Sequence, residues 1–571
     1  MFETIAPRRL AALGLALVLA VLGCSGSGTQ KMEKDLRAFI QQHETVVEPL
    51  AKDAAEAAWK ASITGAEADY ADQKAKQLAL EKVYTNTAEY ARLKAWRENG
   101  KVSDLQLARE LELLYLTYLG RQIPEDLLKR SIDVQNEVDQ IFSTFRGKID
   151  DREYTDNDLR ELLKTSNDSA ELRAAWEAGK QVGAAVQPKL IEVVKLRNEA
   201  ATTLGFANFF SLQMVQQEFD EAEFLRLFDD LDALTRDAFA SMKAEVDQRL
   251  AKRYDVAVAE LRPWHYHNPF FQESPKVFDV DLDAIYSKVN VESAMKQYYD
   301  GLGMSIDDIM ARSDLYEKPG KNPHAYCTHI DRKGDVRVFA NIRPNEYWMG
   351  TMLHEMGHAV YDKYIDAQLP FLVRAPSHTL STEAMAMLLG RMSKNAAWLE
   401  AMRIVPEAER AKIQGEVRKM LTFEQLLFSR WVQVMVRFER SMYTDPNQDL
   451  NTLWWDLVER YQLLHRPEGR NAPDFASKYH VAMAPVYYHN YLLGELMASQ
   501  VHLHIASNVL HASDPWTVTY VNLPVVGTYL RERVFAPGAM LSWNELVKHA
   551  TGELLSPKSF STQFVAASPS S

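Results

Sequence analysis

Apolar residues recur every three or four positions along most of the first half of the chain, with charged residues between them. This spacing places the apolar side chains on one face of a helix, so it predicts a succession of packed amphipathic α-helices. We assign no chemistry to these faces, because such stripes are ordinary packing surfaces. The predicted helices span residues 35–60, 66–99, 102–120, 124–145 and 170–204.

Two segments in the middle of the chain break the helical pattern. Residues 263–275 are rich in proline and aromatic residues, which predicts an irregular loop that lines a cleft or, alternatively, a packed connection. Residues 325–330 and 336–342 are short strand-like runs around a turn that contains Gly334, and they predict a β-hairpin. Helical patterning resumes near residue 346, so the expected fold class is mostly α.

Length and composition bound the architecture and the partners. The chain has 571 residues, of which 47% are hydrophobic and 25% charged, and its interior shows no Pro/Gly/Ser-rich linker or internal repeat. We therefore expect one large domain with subdomains over residues 32–560 and a flexible tail over residues 561–571. The net charge of −13 and the absence of a basic block argue against nucleic acid as a partner.

The N-terminus resembles a bacterial lipoprotein signal. Arg8 and Arg9 precede an apolar run over residues 10–22, too short for a stable bilayer-spanning helix, and Cys24 follows. This pattern predicts a signal peptide over residues 1–23, a lipid anchor on Cys24 and a tether over residues 24–31. An ordinary secretory signal and a single membrane anchor are the alternatives. The expected location is the bacterial cell envelope, facing the periplasm or the exterior. The outer membrane is favoured, since serine rather than aspartate follows the cysteine.

A pair of histidines four residues apart marks the candidate chemistry. His354 and His358 belong to a His-Glu-Met-Gly-His motif, and on a helix they project about 40° apart, so both can reach one metal ion. Glu355 lies one step round the helix, where a carboxylate can touch a water molecule without binding the metal. This motif is typical of zinc peptidases. The alternative is a pair of surface histidines, but the mostly apolar residues around the motif indicate a buried helix.

Glu383 is the predicted third ligand. Ser381 is a plausible N-cap of the helix that follows, and that helix is apolar all round, so an unpaired carboxylate within it would be costly to bury. The alternative is an exposed first turn in which Glu383 complements the helix dipole. With Cys24 lipidated, Cys327 has no partner for a disulfide and is interpreted as a small core residue. In the hairpin before the motif, a strand can pair with an extended peptide, and His329 is predicted to contact the substrate.

Beyond the motif, the chain resembles the angiotensin-converting-enzyme-like peptidases, which are zinc-dependent peptidyl-dipeptidases. The likeness rests on the metal motif with its later glutamate, and on further segments that reach over nearly the whole mature chain. It implies a nearly all-helical ellipsoid with two subdomains, split by a deep cleft that long N-terminal helices cover. Those further segments are residues 172–177, 453–457, 461–462 and 474–481.

The resemblance also implies roles for individual residues. Lys478 would bind the carboxylate at the C-terminal end of the substrate, with Tyr488 beside it. His480 and Tyr491 would donate hydrogen bonds to the oxyanion of the reacting carbonyl. Tyr487 competes with Tyr488 and Tyr491 for these two tyrosine roles.

The chain departs from the family pattern at several positions. Asn490 stands where the family has a chloride-binding arginine, which removes the expectation of chloride activation. Met387 replaces an aspartate that orients a metal-binding histidine, so His354 would need another acceptor. A glutamine that helps to hold the substrate carboxylate appears replaced in the 264–266 region. The family's disulfide beside the hairpin cannot form.

The predicted function is therefore hydrolysis of oligopeptides, with zinc as the cofactor and Glu355 as the general base. Release of C-terminal dipeptides is favoured. An oligoendopeptidase that cuts internal bonds is the alternative, which the missing glutamine supports, and a non-catalytic peptide-binding lipoprotein is a third possibility. The sequence leaves the physiological substrate and the oligomeric state open.

Overall fold

The computed structural model describes the backbone of residues 11–565 and the side chains within that range except those of residues 11–28 and Asn99. The described residues form 22 α-helices and two small antiparallel pairs of strands, which confirms the mostly α fold class. The predicted signal over residues 1–23 and the lipidation of Cys24 fall outside the described side chains. Within the part of the chain that is described, none of the helices combines the length and hydropathy needed to cross a bilayer.

The chain folds into two compact units, the smaller of which comprises residues up to Gln122 together with Leu369–Arg374. Its core is formed by the apolar faces of its helices, as their three- and four-residue spacing predicts. The buried residues of this core are Leu36, Ile40, Leu93, Leu107, Leu111, Leu114 and Tyr118. The helices are α1 (Ala11–Thr64), α2 (Glu67–Tyr84), α3 (Thr87–Asn99) and α4 (Leu105–Leu119).

The larger unit comprises Ile123–Gln368 and the described residues from Ala375 onward, and it contains every residue of the candidate site. Its elements before the metal motif are α5 (Glu125–Thr144), β1 (Gly147–Ile149), β2 (Arg152–Tyr154), α6 (Asp156–Thr165), α7 (Ser169–Thr203), α8 (Phe209–Gln216), α9 (Glu221–Tyr254), α10 (Leu282–Tyr286), α11 (Val291–Gly301), α12 (Asp307–Arg312), β3 (Tyr326–His329) and β4 (Val336–Phe339). Strands β3 and β4 pair antiparallel, with Tyr326 opposite Phe339, which confirms the predicted hairpin.

The metal motif opens the second half of the larger unit. Its elements are α13 (Glu346–Lys363), α14 (Thr379–Gly390), α15 (Ala396–Ala401), α16 (Glu407–Thr444), α17 (Leu450–Gln462), α18 (Tyr479–Met483), α19 (His489–His504), α20 (Pro524–Leu530), α21 (Trp543–Thr551) and α22 (Lys558–Phe564). Helix α22 buries Phe560 and Phe564, so it extends into the segment 561–571 that was predicted to be a tail.

Local hydrogen bonding corrects two sequence-based boundaries. The single helix predicted over 66–99 is two helices, because the Asn86 side chain accepts hydrogen bonds from the backbone N–H groups of Ala88 and Glu89 and so starts a new helix. The N-cap of α14 is His378 rather than Ser381, whose hydroxyl instead accepts a hydrogen bond from the His378 backbone N–H. The predicted non-helical loop over 263–275 is confirmed, with one short 3₁₀ turn at Pro263–Tyr266.

Candidate active site

His354, His358 and Glu383 bring their ligand atoms together. The Nε2 atoms of the two histidines are 3.1 Å apart, and the Glu383 Oε2 atom lies 3.6 Å from that of His354 and 3.8 Å from that of His358. Among the described residues, they are the one group of His, Cys, Asp or Glu side chains whose ligand atoms lie close enough to hold a metal ion. We call these three residues the ligand cluster.

Close contacts between three helices position the ligand cluster. Helix α13 carries both histidines and packs on α14, which carries Glu383. Gly357 lies so close to α14 that an added Cβ would stand 2.7 Å from the Ala386 Cα. On the other side of α14, a Cβ on Gly494 of α19 would lie 3.1 Å from the Glu383 Cβ. Both glycines therefore allow a backbone approach that a larger side chain would prevent.

The electrostatics of the ligand cluster fit a metal cation. Burial lowers the pKa of His354 to about 4, and burial, reinforced by His354, also lowers the pKa of His358, so both rings are neutral and can offer lone pairs. Glu383 Oε2 is buried without a hydrogen-bond donor among the described residues. Burial, with Glu495 nearby, raises the pKa of Glu383 to about 7. A cation would supply the charge partner that this carboxylate lacks.

Thr382 supports the histidine on the second turn of the motif. Its hydroxyl lies 2.7 Å from Nδ1 of His358, the ring nitrogen that faces away from the ligand cluster. A polar partner at this nitrogen fixes the ring orientation and the tautomer of a metal-binding histidine. Thr382 contacts His358 and not His354, so the expectation that another acceptor orients His354 stays a prediction.

Glu355 is buried beside the ligand cluster. Burial, together with the charge of Glu383, raises the pKa of Glu355 to about 8, and a hydrogen bond from the backbone N–H of Cys327 acts in the opposite direction. A pKa near neutrality suits a group that accepts and later releases a proton.

The hairpin contributes to the site through residues that differ from the predicted one. His324 and Ala325 line a cavity of about 430 Å³ together with His354 and Glu355. His329, by contrast, accepts a hydrogen bond of 3.1 Å from the Gly334 backbone N–H, so its ring is engaged within the hairpin turn. His324 could not be predicted, because a single histidine before a strand belongs to no periodic pattern. The contact of His329 with substrate remains a prediction.

Of the three neighbouring tyrosines, Tyr487 and Tyr491 lie near Glu383, and Tyr488 lies beside Lys478. The Tyr487 hydroxyl donates a hydrogen bond to Glu383 and is also hydrogen-bonded to Tyr491. Burial, with Glu383 nearby, raises the pKa of Tyr491 to about 12, which keeps its hydroxyl protonated and able to donate. Tyr488 instead turns towards Lys478, whose Nζ lies 5.2 Å from the centre of its ring.

Lys478, Gln272 and Tyr488 form a second group, which we call the lysine cluster. The Lys478 Nζ donates a 2.6 Å hydrogen bond to Gln272 Oε1, and the Tyr488 hydroxyl donates to the same oxygen at 3.3 Å. Lys478 is 7% exposed, and burial lowers its pKa to about 7. No carboxylate of the described residues forms an ion pair with it, so an anionic ligand would complete its environment.

The expectation that the family's carboxylate-binding glutamine is replaced stays a prediction, although the structure places a glutamine, Gln272, at Lys478. That expectation placed the position near residues 264–266, whereas Gln272 lies further along the same irregular loop. In a loop without regular periodicity, the sequence does not indicate which side chains face the same way. The fold alone brings Gln272 to Lys478, which lies 206 residues away in the chain.

His480 lies beside the lysine cluster. Its ring packs edge-on against Tyr488 with 5.0 Å between ring centres, and its Nδ1 is buried without a hydrogen-bond partner among the described residues. Burial, reinforced by Lys478, lowers the pKa of His480 to about 4, so the ring is neutral. A neutral imidazole carries one N–H group that can donate to a ligand.

Neutral side chains occupy the position of the family's chloride-binding arginine. The Asn490 side-chain amide donates to Gln217 Oε1 at 3.0 Å and to the Tyr487 carbonyl at 3.1 Å. The ring of His489 lies 2.9 Å from the same Gln217 oxygen, and burial lowers its pKa to about 3. These contacts hold the start of α19 with uncharged hydrogen bonds.

Comparison with known proteins identifies relatives for nearly the whole chain. The model of the family Peptidase_M2, described as angiotensin-converting enzyme, matches residues 30–265 and 283–564. The angiotensin-converting enzyme-like protein Ace3 of Mus musculus is 23% identical over 442 residues, which cover 71% of this chain and 59% of that protein. The angiotensin-converting enzyme of Theromyzon tessulatum is 21% identical over 435 residues, or 71% of this chain and 70% of that protein.

The length of the match differs among the relatives. The angiotensin-converting enzyme of Rattus norvegicus is 21% identical over 430 residues, which cover 70% of this chain but 32% of the rat protein. This chain thus spans about three fifths of the Mus musculus Ace3 protein and about a third of the rat enzyme.

Proposed function

Because the chain belongs to the angiotensin-converting enzyme family of peptidases, we propose that it is a zinc-dependent metallopeptidase that releases C-terminal dipeptides from oligopeptides. The observation that carries this proposal is the lysine cluster, in which Lys478 and Tyr488 meet at Gln272. A buried ammonium group with two neutral polar neighbours suits the free carboxylate at a chain end. An enzyme that cut internal bonds without regard to the chain end would have no use for such a group.

Two imidazoles and one carboxylate are a ligand set typical of catalytic zinc. His354, His358 and Glu383 would hold the ion, and Thr382 would support His358. When bound, zinc would polarise the scissile carbonyl and lower the pKa of a water molecule.

The neighbouring side chains supply the proton transfers and the oxyanion contacts. Glu355 takes a proton from the attacking water and delivers it to the leaving amine, and its buried position beside the ligand cluster suits this role. Tyr491, protonated and beside Glu383, donates to the developing oxyanion, and the neutral His480 is the second donor. Loss of one such donor typically lowers turnover on the order of 100- to 1000-fold.

A run of tyrosine contacts leads from one cluster towards the other. Tyr487 packs against Tyr491 with 5.3 Å between ring centres, Tyr491 packs against Tyr488 at 5.4 Å, and the Tyr488 hydroxyl donates to Gln272 of the lysine cluster. Burial, together with the charge of Glu383, raises the pKa of Tyr487, so this tyrosine lies near the ligand cluster. Two residues of extended chain cover about 7 Å. We infer that a peptide whose carboxylate is held by Lys478 presents its second bond from the end to the ligand cluster.

The test uses zinc-loaded protein that lacks residues 1–24 and an N-acetylated hexapeptide with either a free or an amidated C-terminus. Mass spectrometry should show one dipeptide released from the free acid, with far less product from the amide and none after chelation. Internal cleavage of both forms would replace the proposal with an oligoendopeptidase. A protein that binds zinc and the peptide but cleaves neither form would indicate a binding function.

A membrane location through a lipid on Cys24 is part of the same proposal. Its support is the sequence pattern of Arg8 and Arg9, the apolar run and the cysteine. The full chain, expressed in a bacterium fed with an alkyne-labelled fatty acid, should incorporate the label and sediment with membranes. The Cys24→Ser variant should lose the label, and a wild-type protein without label would refute the anchor.

A further inference from the structure

A cavity of about 450 Å³ adjoins the lysine cluster in the larger unit. Gln272, Lys478 and His480 line it, so a ligand held by the lysine cluster would have direct access to its interior. The rest of its wall is mainly apolar. The larger side chains of that wall are Phe142, Phe145, Leu159, Leu163, Trp176 and Phe270. We call this space the aromatic cavity.

Lys180 is a charged residue in this wall that the proposed mechanism does not use. It lies on α7, is 5% exposed and lines the aromatic cavity. Its Nζ stands 3.3 Å from the centre of the Phe270 ring and 5.3 Å from that of Trp176. Within residues 11–565, no hydrogen bond or ion pair engages its ammonium group. A buried ammonium group that touches only aromatic rings lacks the partner that would offset its desolvation.

Asp474 is the acidic residue whose charge affects the pKa of Lys180, but its carboxylate already has other partners. Asp474 accepts two hydrogen bonds from the Arg470 guanidinium at 2.5 and 2.7 Å and a third from the Trp455 indole N–H at 3.1 Å. Its charge is thus balanced by a bidentate arginine, and it lies too far from Lys180 to form an ion pair.

The other charges in the cavity wall leave an excess of positive charge. Arg160 is paired with Asp156 at 2.5 Å, so these two cancel. Lys478 bonds to the neutral Gln272, and Glu273 acts on it only at longer range. Burial lowers the pKa of both Lys180 and Lys478 because it disfavours the charged form, and a bound carboxylate would favour protonation of each amine.

The two lysines are close enough to bind the same residue of a ligand. Their Nζ atoms lie 3.3 and 5.3 Å from the centre of one ring, that of Phe270, so at most 8.6 Å, the sum of those distances, separates them. The two carboxylate carbons of a glutamate are about 5 Å apart in an extended conformation. With hydrogen bonds of about 2.8 Å at each end, one glutamate can therefore reach both ammonium groups.

We propose that the aromatic cavity receives the side chain of the last substrate residue and that Lys180 selects an acidic residue there, glutamate above all. This inference rests on the proposed function, because the lysine cluster must hold the α-carboxylate of the same residue. Lys180 is then a specificity-determining residue, and the preferred substrate is an oligopeptide with two carboxylates at its C-terminal residue.

The test compares N-acetylated peptides that differ only in the last residue, which is glutamate, glutamine or leucine. For the zinc-loaded wild type, kcat/KM should be roughly tenfold higher for glutamate than for glutamine, as expected for one added charge-assisted contact. In the Lys180→Met variant this ratio should fall to one or below, while the leucine peptide keeps its rate within about threefold. A wild-type ratio of one or less, or a ratio unchanged in the variant, would overturn the proposal.

The ratio of kcat/KM for the glutamate and glutamine peptides, measured within one preparation, does not depend on how much of the variant is folded. Lys180→Gln provides a second variant. Lys189→Met is the matched control, because Lys189 lies on the same helix but pairs with Glu137 and Glu192 outside the cavity. It should leave the glutamate preference unchanged.

Binding of the dipeptides Leu-Glu and Leu-Gln, measured by calorimetry, separates this inference from the proposed function. If no peptide is cleaved but Leu-Glu binds more tightly and the difference disappears in Lys180→Met, the selectivity of the cavity stands and the dipeptidase activity does not. If dipeptides are released while both bind equally, the activity stands and the role of Lys180 is wrong.

Discussion

The ligand cluster and the lysine cluster are built in opposite ways. His354, His358 and Glu383 come from two adjacent helices within thirty residues of chain, and packing of those helices brings them together. Lys478 follows a short 3₁₀ turn and meets Gln272 from an irregular loop 206 residues earlier. Under the proposed function, the first cluster acts on any peptide bond, whereas the second recognises the end of the substrate chain. The chemistry would then depend on neighbouring helices, and the selectivity on contacts between residues far apart in the sequence.

Removal of the base should produce the largest effect and should not distinguish substrates. The Glu355→Gln variant keeps the shape of the side chain but cannot accept a proton, so kcat should fall by roughly 100- to 10,000-fold for every peptide. Zinc content, measured by atomic emission, should stay equal to that of the wild type. Equal activity at equal zinc content would exclude Glu355 as the base, and Glu355→Asp serves as the variant that keeps a carboxylate.

Removal of Lys478 should have a smaller effect that depends on the chain end. In Lys478→Met, kcat/KM for the free-acid hexapeptide should fall on the order of 100-fold, because truncation of one partner of a buried charge pair typically costs 2–5 kcal/mol. The amidated peptide, which has no carboxylate to lose, should show no change from its low wild-type rate. A loss shared equally by both peptides would mean that Lys478 is structural.

The pKa of Lys478 predicts a pH dependence in the same comparison. The protonated ammonium binds the substrate carboxylate, and in the free enzyme burial lowers its pKa to about 7. As pH rises through 7 the bound proton is lost, so kcat/KM for the free acid should fall about tenfold per pH unit at higher pH. In Lys478→Arg the guanidinium stays charged, and this decline should disappear. A decline that persists unchanged in the arginine variant would assign it to another group.

Gln272 should show the smallest effect of the four. In Gln272→Leu, Lys478 and Tyr488 lose their shared acceptor, so kcat/KM for the free acid should fall by about three- to tenfold. Ser274→Ala, which changes a nearby residue of the same loop whose hydroxyl donates to the Pro275 carbonyl, is the matched control. A double-mutant cycle with Lys478→Met should show that the two losses are not additive, whereas strictly additive losses would separate Gln272 from the lysine cluster.

The same contrast explains how far the sequence could predict the structure. The helical repeat of 3.6 residues predicted the fold class and the ligand cluster. The strand repeat of 2 residues predicted the hairpin. The break at Asn86 within the predicted helix 66–99 was missed, since a capping asparagine there competes with a continuous apolar stripe. The positions of Gln272, His324 and Lys180 depend on tertiary packing alone.

The short reach from Tyr488 to Tyr491 has a consequence for the size of the product. Tyr488 is the N-cap of α19 and Tyr491 lies in its first turn, so under the proposed function one helical turn sets the interval between chain-end recognition and bond cleavage. A helix lengthens only in steps of about 1.5 Å, and each added residue rotates the next side chain by about 100°. One residue added between the two tyrosines would therefore turn one of them away from the substrate. Under the proposed function, a relative that releases tripeptides would need a different element to carry that tyrosine.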